Sequence, residues 1–421
     1  MKKLLFTLVV LISFSTFGQT ADKYYNSGYE KAEAKDYYGA ISDYNKAIQL
    51  NPNDPDAYFN RGSSKDELKD YYGAVSDYSK SIELNPNNAK AYLNRGIVKA
   101  NLKDYYGAVS DYSKSIELNP NNAKAYLNRG IVKANLKDYY GAVSDYSKSI
   151  ELNPNNAKTY LNKGILKADL KDYSGAITDY NKAIEIDPNY DKAYYNRGLS
   201  KGELKDYNGA ISDYSKSIQL NPNDPDAYNN RGNSKNNLKA YNVAIIDFNK
   251  AIELDPNYEK AYYNRGISKA SLKDYSGAIS DYNKAIELDP NNGAAYHNRG
   301  LLKNKLKDYN GAIEDYSKAI EIKPSDASIY DNRGVSKDEL KDYYGAIRDY
   351  SKAIELDPDF SKYYGGRGIS KASLKDYSGA IRDYNKAIEL DPNDGGAYHN
   401  RGISKYYSGD LIGACEDAKE S

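Results

Sequence analysis

Asp43 recurs, among the same neighbours, as Asp77, Asp111, Asp145 and onward to Asp417, twelve times at a spacing of 34 residues. An arginine precedes the repeat's first glycine in ten of the twelve units, as Arg95 precedes Gly96, and a lysine follows that glycine by three positions in every unit, as in Lys99. The chemistry open to such a set is charge pairing. We expect the Arg95-type and Lys99-type cations to pair with the Asp111-type carboxylates across helix interfaces, as a ladder along the chain. Groups suited to catalysis are scarce. The two histidines, His297 and His399, hold the same repeat position three units apart. At about 8–10 Å per packed helix they stand too far apart to share a metal. No nucleophile, base and orienting acid recur as a set, and no glycine loop fits a phosphate. No enzyme activity, metal site or cofactor is expected. The single cysteine, Cys415, allows no internal disulfide and falls where the repeat is otherwise apolar, so it is expected to be a small buried residue. Lys plus Arg and Asp plus Glu each total 59, and a net charge of zero argues against a nucleic-acid binder, which would carry a basic stripe.

The elements that position these residues follow from the same period. Stepping by 34 from Gly28 returns a glycine at every stop to Gly402, without insertion or deletion. Residues 89–122 and 123–156 are identical letter for letter. A fixed period of this kind marks a solenoid, in which each unit meets only its neighbours and so tolerates verbatim copies. Within 89–122, Tyr92, Gly96 and Lys99 share one helical stripe and Tyr105, Ala108, Tyr112 and Ile116 a second, with a break at Leu102-Lys103-Asp104. All 13 prolines lie at the junctions between units, where they stop one helix and open the next. Asp54-Pro55 and Asp224-Pro225 place an acidic cap before a proline at the first helical position. Twelve repeats are thus expected, from 21–54, 55–88 and 89–122 to a shorter 395–421, each a pair of helices. Gly96 inside a helix costs about 1 kcal/mol relative to alanine. The cost is tolerable if a second helix passes close, with Ala108 as its small partner and the tyrosines filling the space on either side.

The period, the Gly96 and Ala108 positions, the aromatics Tyr105 and Tyr112, and Pro120 resemble the tetratricopeptide repeat across nearly all of the chain. The resemblance implies an all-α fold: a right-handed α-solenoid superhelix of antiparallel helix pairs whose concave groove, lined mainly by the first helix of each pair, binds peptide segments or partner proteins. The chain departs from the family pattern at Arg95 and Lys99, where the family carries an apolar residue and an aromatic. Asn94 and its counterparts match the asparagine of the family's carboxylate clamp, but the surrounding cations are missing, so carboxylate binding is not carried over.

Candidate binding residues sit at the most variable groove position and at the asparagine after it. They are Tyr25, Phe59, Leu93, Asn94, Leu127, Asn128, Leu161, Asn162, Tyr195, Asn196, Asn229, Asn230, Tyr263 and His297, with Asn233 from the asparagine-rich seventh repeat. A side-chain amide both donates and accepts, so a row of them suits the backbone of an extended peptide; each amide is equally suited to binding a neighbouring repeat. The variable position is apolar or aromatic in the N-terminal half and more polar towards the C-terminus.

Residues 1–18 read as a cleavable export signal: Lys2 and Lys3, an apolar run from Leu4 to Phe14, then small residues at Thr16 and Gly18. The run is shorter than the roughly 20 residues a membrane span needs. The expectation is an exported protein, periplasmic, extracellular or peripheral on the outer membrane, with no integral membrane segment after cleavage. It would act as a non-catalytic scaffold for an unidentified protein or peptide. The alternative is a structural envelope protein that associates end to end or tethers to cell-wall polymers.

Overall fold

The structure is a computed structural model that describes residues 20–421; the predicted export signal lies outside the described residues. Every regular element among them is an α-helix. The helices form two compact units, one ending at Leu220 and the other beginning at Asn221. Within each unit the helices run in pairs. The third repeat is representative: an A helix, Ala89–Asn101, and a B helix, Tyr105–Leu118. Asn88 caps the A helix, its side chain accepting from the backbone N–H groups of Lys90 and Ala91. Asp54 does the same ahead of Pro55.

The turn between the helices is made by a lysine. Lys103 has φ of 62°, and ten counterparts from Lys35 to Lys375 lie in the same left-handed region; in the last repeat Gly409 takes the place. The hydrogen bonds are those that close a helix with one left-handed residue: Asp104 N–H to Lys99 O at 2.9 Å and Lys103 N–H to Ala100 O at 3.0 Å.

Asp104 then caps the B helix by accepting from Gly107 N–H at 3.0 Å. A Cβ on Gly107 would stand 2.1 Å from the Asp104 carboxylate, so cap and glycine are obligate partners. The seventh repeat shows the rule by breaking both halves together. Ala240 replaces the capping aspartate and makes no side-chain cap, and Val243 replaces the glycine.

The core of each repeat is a tyrosine ring laid on the A-helix glycine. A Cβ on Gly96 would stand 2.8 Å from Cε1 of Tyr112, and ten further repeats, from Gly28 with Tyr44 to Gly368 with Tyr384, repeat the contact, with Phe248 in the seventh. This corrects the expected small-against-small crossing: the ring of the B helix, more than the Ala108 backbone, occupies the space the glycine leaves. Ala91, Gly96 and Val98 form the buried A-helix stripe. Tyr92 is half-buried, with the Arg95 guanidinium 5.6 Å from its ring centre.

Candidate interaction face of the A helices

The charged set forms the expected ladder. Arg95 grips Asp111 with two parallel bonds, Nε to Oδ2 at 2.9 Å and Nη2 to Oδ1 at 2.6 Å. Lys99 closes on the same carboxylate at 2.8 Å. The remaining guanidinium nitrogen donates to Ser79 Oγ, on the B helix of the preceding repeat, at 3.0 Å. Arg95 therefore ties its own A and B helices to the repeat before. Asp111 is buried and the cations partly so. Two repeats lack the arginine: in the first, Ser27 donates to Asp43 at 2.7 Å beside Lys31 at 2.6 Å, and in the fifth, Lys163 stands 3.7 Å from Asp179 beside Lys167 at 2.7 Å. The Lys31 and Ser27 hydrogen bonds hold the Asp43 carboxyl below the usual carboxylate range against its desolvation. At Asp417 burial pushes the carboxyl up, but hydrogen bonds from Arg401 and Lys405 outweigh it and the net shift is downward.

The candidate groove residues divide by what the preceding repeat offers. Where the variable position carries an acceptor, the asparagine 35 residues later donates to it: Asn60 to Tyr25 Oη at 2.8 Å, Asn264 to Asn229 Oδ1 at 2.9 Å, Asn298 to Tyr263 Oη at 3.1 Å, and Asn332 to His297 Nε2 at 3.0 Å. The variable side chains in turn rest on the core rings. Tyr25, Phe59, Tyr195 and Tyr263 lie 5.6–6.0 Å from Tyr44, Tyr78, Tyr214 and Tyr282. Leu93 and Leu161 are buried outright. Asn94 follows Phe59, which offers no acceptor; the Tyr78 hydroxyl in the core beneath donates to Ser63 Oγ at 3.1 Å, and burial pushes that phenol up to about 12. Asn196 donates to Lys192 O one turn back on its own helix at 2.8 Å.

Asn128 and Asn162 differ from these. Each follows a leucine, Leu93 and Leu127, and among the described residues neither side-chain amide makes a hydrogen bond. Both remain partly exposed. Asn128 opens into a cleft of about 310 Å³ between the A helices Ala89–Asn101 and Ala123–Asn135, lined by Ile97, Ala100, Ile131 and Val132 with exposed Lys124 at its edge. An apolar floor with an unspent amide donor and acceptor above it suits an extended peptide: side chain into the cleft, backbone to the amide.

The asparagine cluster of the seventh repeat is largely joinery between repeats. Asn229 is buried and also donates to Asn230 at 3.3 Å, Asn236 accepts from Ser268 at 2.8 Å, and Asn237 donates to Asn233 O at 3.0 Å. The offset of 35 residues was the signal for these links in the sequence; it is invisible to a reading of one repeat at a time. Cys415 is exposed rather than buried, because its position is only half-covered even in other repeats, as at Val109 and Ile381. Among the described residues no three metal-ligating side chains converge, and no helix is long and apolar enough to cross a membrane.

The family model described as the tetratricopeptide repeat matches residues 55–88, 89–122, 123–156, 259–292, 293–326 and 361–394, and a second of the same description matches 225–258 and 327–360. A TPR repeat model matches 28–64, 166–205 and 202–239. Among solved structures, the chain is similar to YrrB, a TPR protein with an unusual peptide-binding site, at 26% identity over 42% of this chain and 92% of that one, TM-score 0.38. It is similar to MamA from Desulfovibrio magneticus at 25% identity over 40% and 96% of the two chains, TM-score 0.39. A tetratricopeptide repeat protein from Parabacteroides merdae is 18% identical over 59% and 98%, TM-score 0.44. No curated protein matches. Repeats of this kind serve as protein-interaction scaffolds, and the family models together account for most of the sequence between residues 28 and 394: the chain belongs to the tetratricopeptide repeat family.

Proposed function

We propose that this protein is an interaction scaffold that binds extended peptide segments on the A-helix face of its third to fifth repeats. The observation that carries the reading is the pair of unspent amides, Asn128 and Asn162, with the Ile97–Ile131 cleft beside the first. Peptides enriched from a random display library on the full chain test it. Asn128→Ala with Asn162→Ala should weaken the enriched peptides about tenfold or more, the loss of two hydrogen bonds of ~1 kcal/mol each, at an unchanged Tm. Peptides that bind the double variant as tightly as the parent would refute the site. Asn264→Ala, which breaks an inter-repeat bond, should instead lower Tm.

The reading includes export, supported by Lys2, Lys3, the Leu4–Phe14 run and Gly18, with residence in the periplasm or on the outside of the envelope. Mass spectrometry of the protein recovered from its native cells should find Gln19 as the first residue; an intact Met1 counts against it. One observation favours a second reading, attachment to an envelope polymer. Tyr38, Tyr72, Tyr106 and Tyr140 are 77–81% exposed, one per repeat, each three residues after a left-handed lysine. Co-sedimentation with purified cell wall, lost when the four are changed to serine, supports that reading, and retention by the variant rejects it.

A further inference from the structure

The two junctions that hold the unspent asparagines are built alike. Between the third and fourth repeats the cleft is lined by Ile97, Ala100, Asn101, Asn128 and Ile131, with Lys124 at its edge. Between the fourth and fifth, the residues 34 positions on are Ile131, Ala134, Asn135, Asn162 and Ile165, with Lys158 in the place of Lys124. Lys124 and Lys158 are exposed, and among the described residues neither makes an ion pair. No acidic side chain lines the cleft. Acid stands at both borders instead. Asp66 and Glu67 replace Ala100 and Asn101 one junction earlier, and Asp169 replaces Asn135 one junction later, where Asn196 is spent on Lys192 O. The pattern is two equal subsites in a row, each with an unpaired cation, closed off by negative charge.

Equal subsites side by side suit a ligand that repeats at their spacing. Packed helices lie about 8–10 Å apart, so a chain crossing them meets the same surroundings at that interval. A β-strand rises about 3.3 Å per residue and returns a side chain to the same face at about 6.6 Å, out of step with the helices. A polyproline II helix has 3 residues per turn and rises about 3.1 Å for each, so its faces recur at about 9.3 Å, in step with them. Its backbone makes no internal hydrogen bonds, which leaves its carbonyls free for the amides of Asn128 and Asn162. Of each triplet, one residue meets the apolar floor and a second meets the lysine at the edge.

Building on the peptide-binding reading of Asn128 and Asn162, we propose that these subsites hold an acidic, proline-rich segment of a partner protein in the polyproline II conformation. An apolar residue recurs at every third position, and the carboxylates beside it pair with Lys124 and Lys158. The carboxylates are those of side chains along the segment and not of a chain terminus.

Two fluorescein-labelled peptides of one composition test this by anisotropy on the full-length protein: Leu-Glu-Pro-Leu-Glu-Pro, of period three, and Leu-Glu-Leu-Glu-Pro-Pro, of period two. The first should bind about tenfold tighter or more. Lys124→Gln with Lys158→Gln, both exposed, should weaken it several-fold at an unchanged Tm, and should not affect the version of the peptide with Gln for Glu. Equal or tighter binding of the period-two peptide overturns the proposal, as does indifference to the two lysines. If such binding is still lost in Asn128→Ala with Asn162→Ala, the peptide site itself stands and only its ligand class falls. Period-three binding that ignores both asparagines overturns the two together. No measurable binding of either peptide overturns the ligand class, and the display-selected peptides then decide the site.

Discussion

Asn332 donates its side-chain amide to Nε2 of His297, 35 residues earlier, at 3.0 Å, fastening the tenth repeat to the ninth. The bond needs the neutral ring. Burial holds the His297 imidazole below the usual histidine value. A group whose folded pKa is depressed stabilises above its unfolded pKa and loses that contribution as pH falls through the folded value. Tm should therefore drop as pH falls below the ordinary histidine pKa of about 6.5, by an amount of the order of one hydrogen bond, ~1 kcal/mol. His297→Tyr, patterned on Tyr263 with Asn298, should remove that step. Asp338, pushed up by burial, responds in the opposite sense but is common to both proteins, so the difference in their pH profiles isolates His297.

Breaking one rung of the charge ladder should be costly. Asp145 is buried and receives two bonds from Arg129 and an ion pair from Lys133. Asp145→Asn leaves both cations facing a neutral amide, and the loss should approach the 3–5 kcal/mol typical of a buried pair deprived of one partner. Glu151→Gln, which breaks the exposed pair with Lys148, should leave stability almost unchanged, because the pair is screened by solvent. Chemical denaturation of the two variants side by side checks the contrast; equal losses would mean the ladder is solvent-screened.

The left-handed lysines carry a backbone penalty of about 1–2 kcal/mol that glycine does not. Lys137→Gly, at φ of 62°, should raise stability by up to about 1 kcal/mol, the remainder being offset by the greater freedom of glycine in the unfolded chain. Gly409 already occupies the equivalent turn. A lower midpoint in urea would show that the Lys137 side chain contributes more than its backbone costs.

The missing cap of the seventh repeat can be rebuilt. Ala240→Asp together with Val243→Gly should add about 1 kcal/mol, the usual worth of an N-cap. Ala240→Asp alone should give little or nothing, because Val243 keeps a Cβ where, in the other repeats, a Cβ on the glycine would fall on the capping carboxylate. Thermal melts of the single and double variants read the coupling directly.

Much of this architecture was legible in the sequence because its determinants are local and recur: Pro120 at the junction, Asp54 at the cap before Pro55, and Gly96 and Tyr112 on the stripes of the two helices; that Asp104 caps the B helix, and that the Tyr112 ring lies on Gly96, came from the structure. The Arg95–Asp111 pairing was legible too, since both residues repeat in step. What escaped notice lies between units. Asn264 reaching Asn229 depends on the neighbour's side chain, so identical asparagines have different fates: Asn128 faces Leu93 and is left unspent, while Asn196, facing Leu161, turns back to Lys192 O on its own helix. The lysine turn was hidden for another reason: the φ of Lys103 is dictated by the helix-closing bonds around it and not by any preference of lysine.

Arg129 meets Ser113 as Arg95 meets Ser79, at 3.0 Å in both cases. Duplicating or excising one hairpin at this place would create no junction the molecule has not already solved. The extent of the scaffold is therefore adjustable in whole units by copying errors in the gene, and the length of surface on offer to a partner can change without any new packing having to be found.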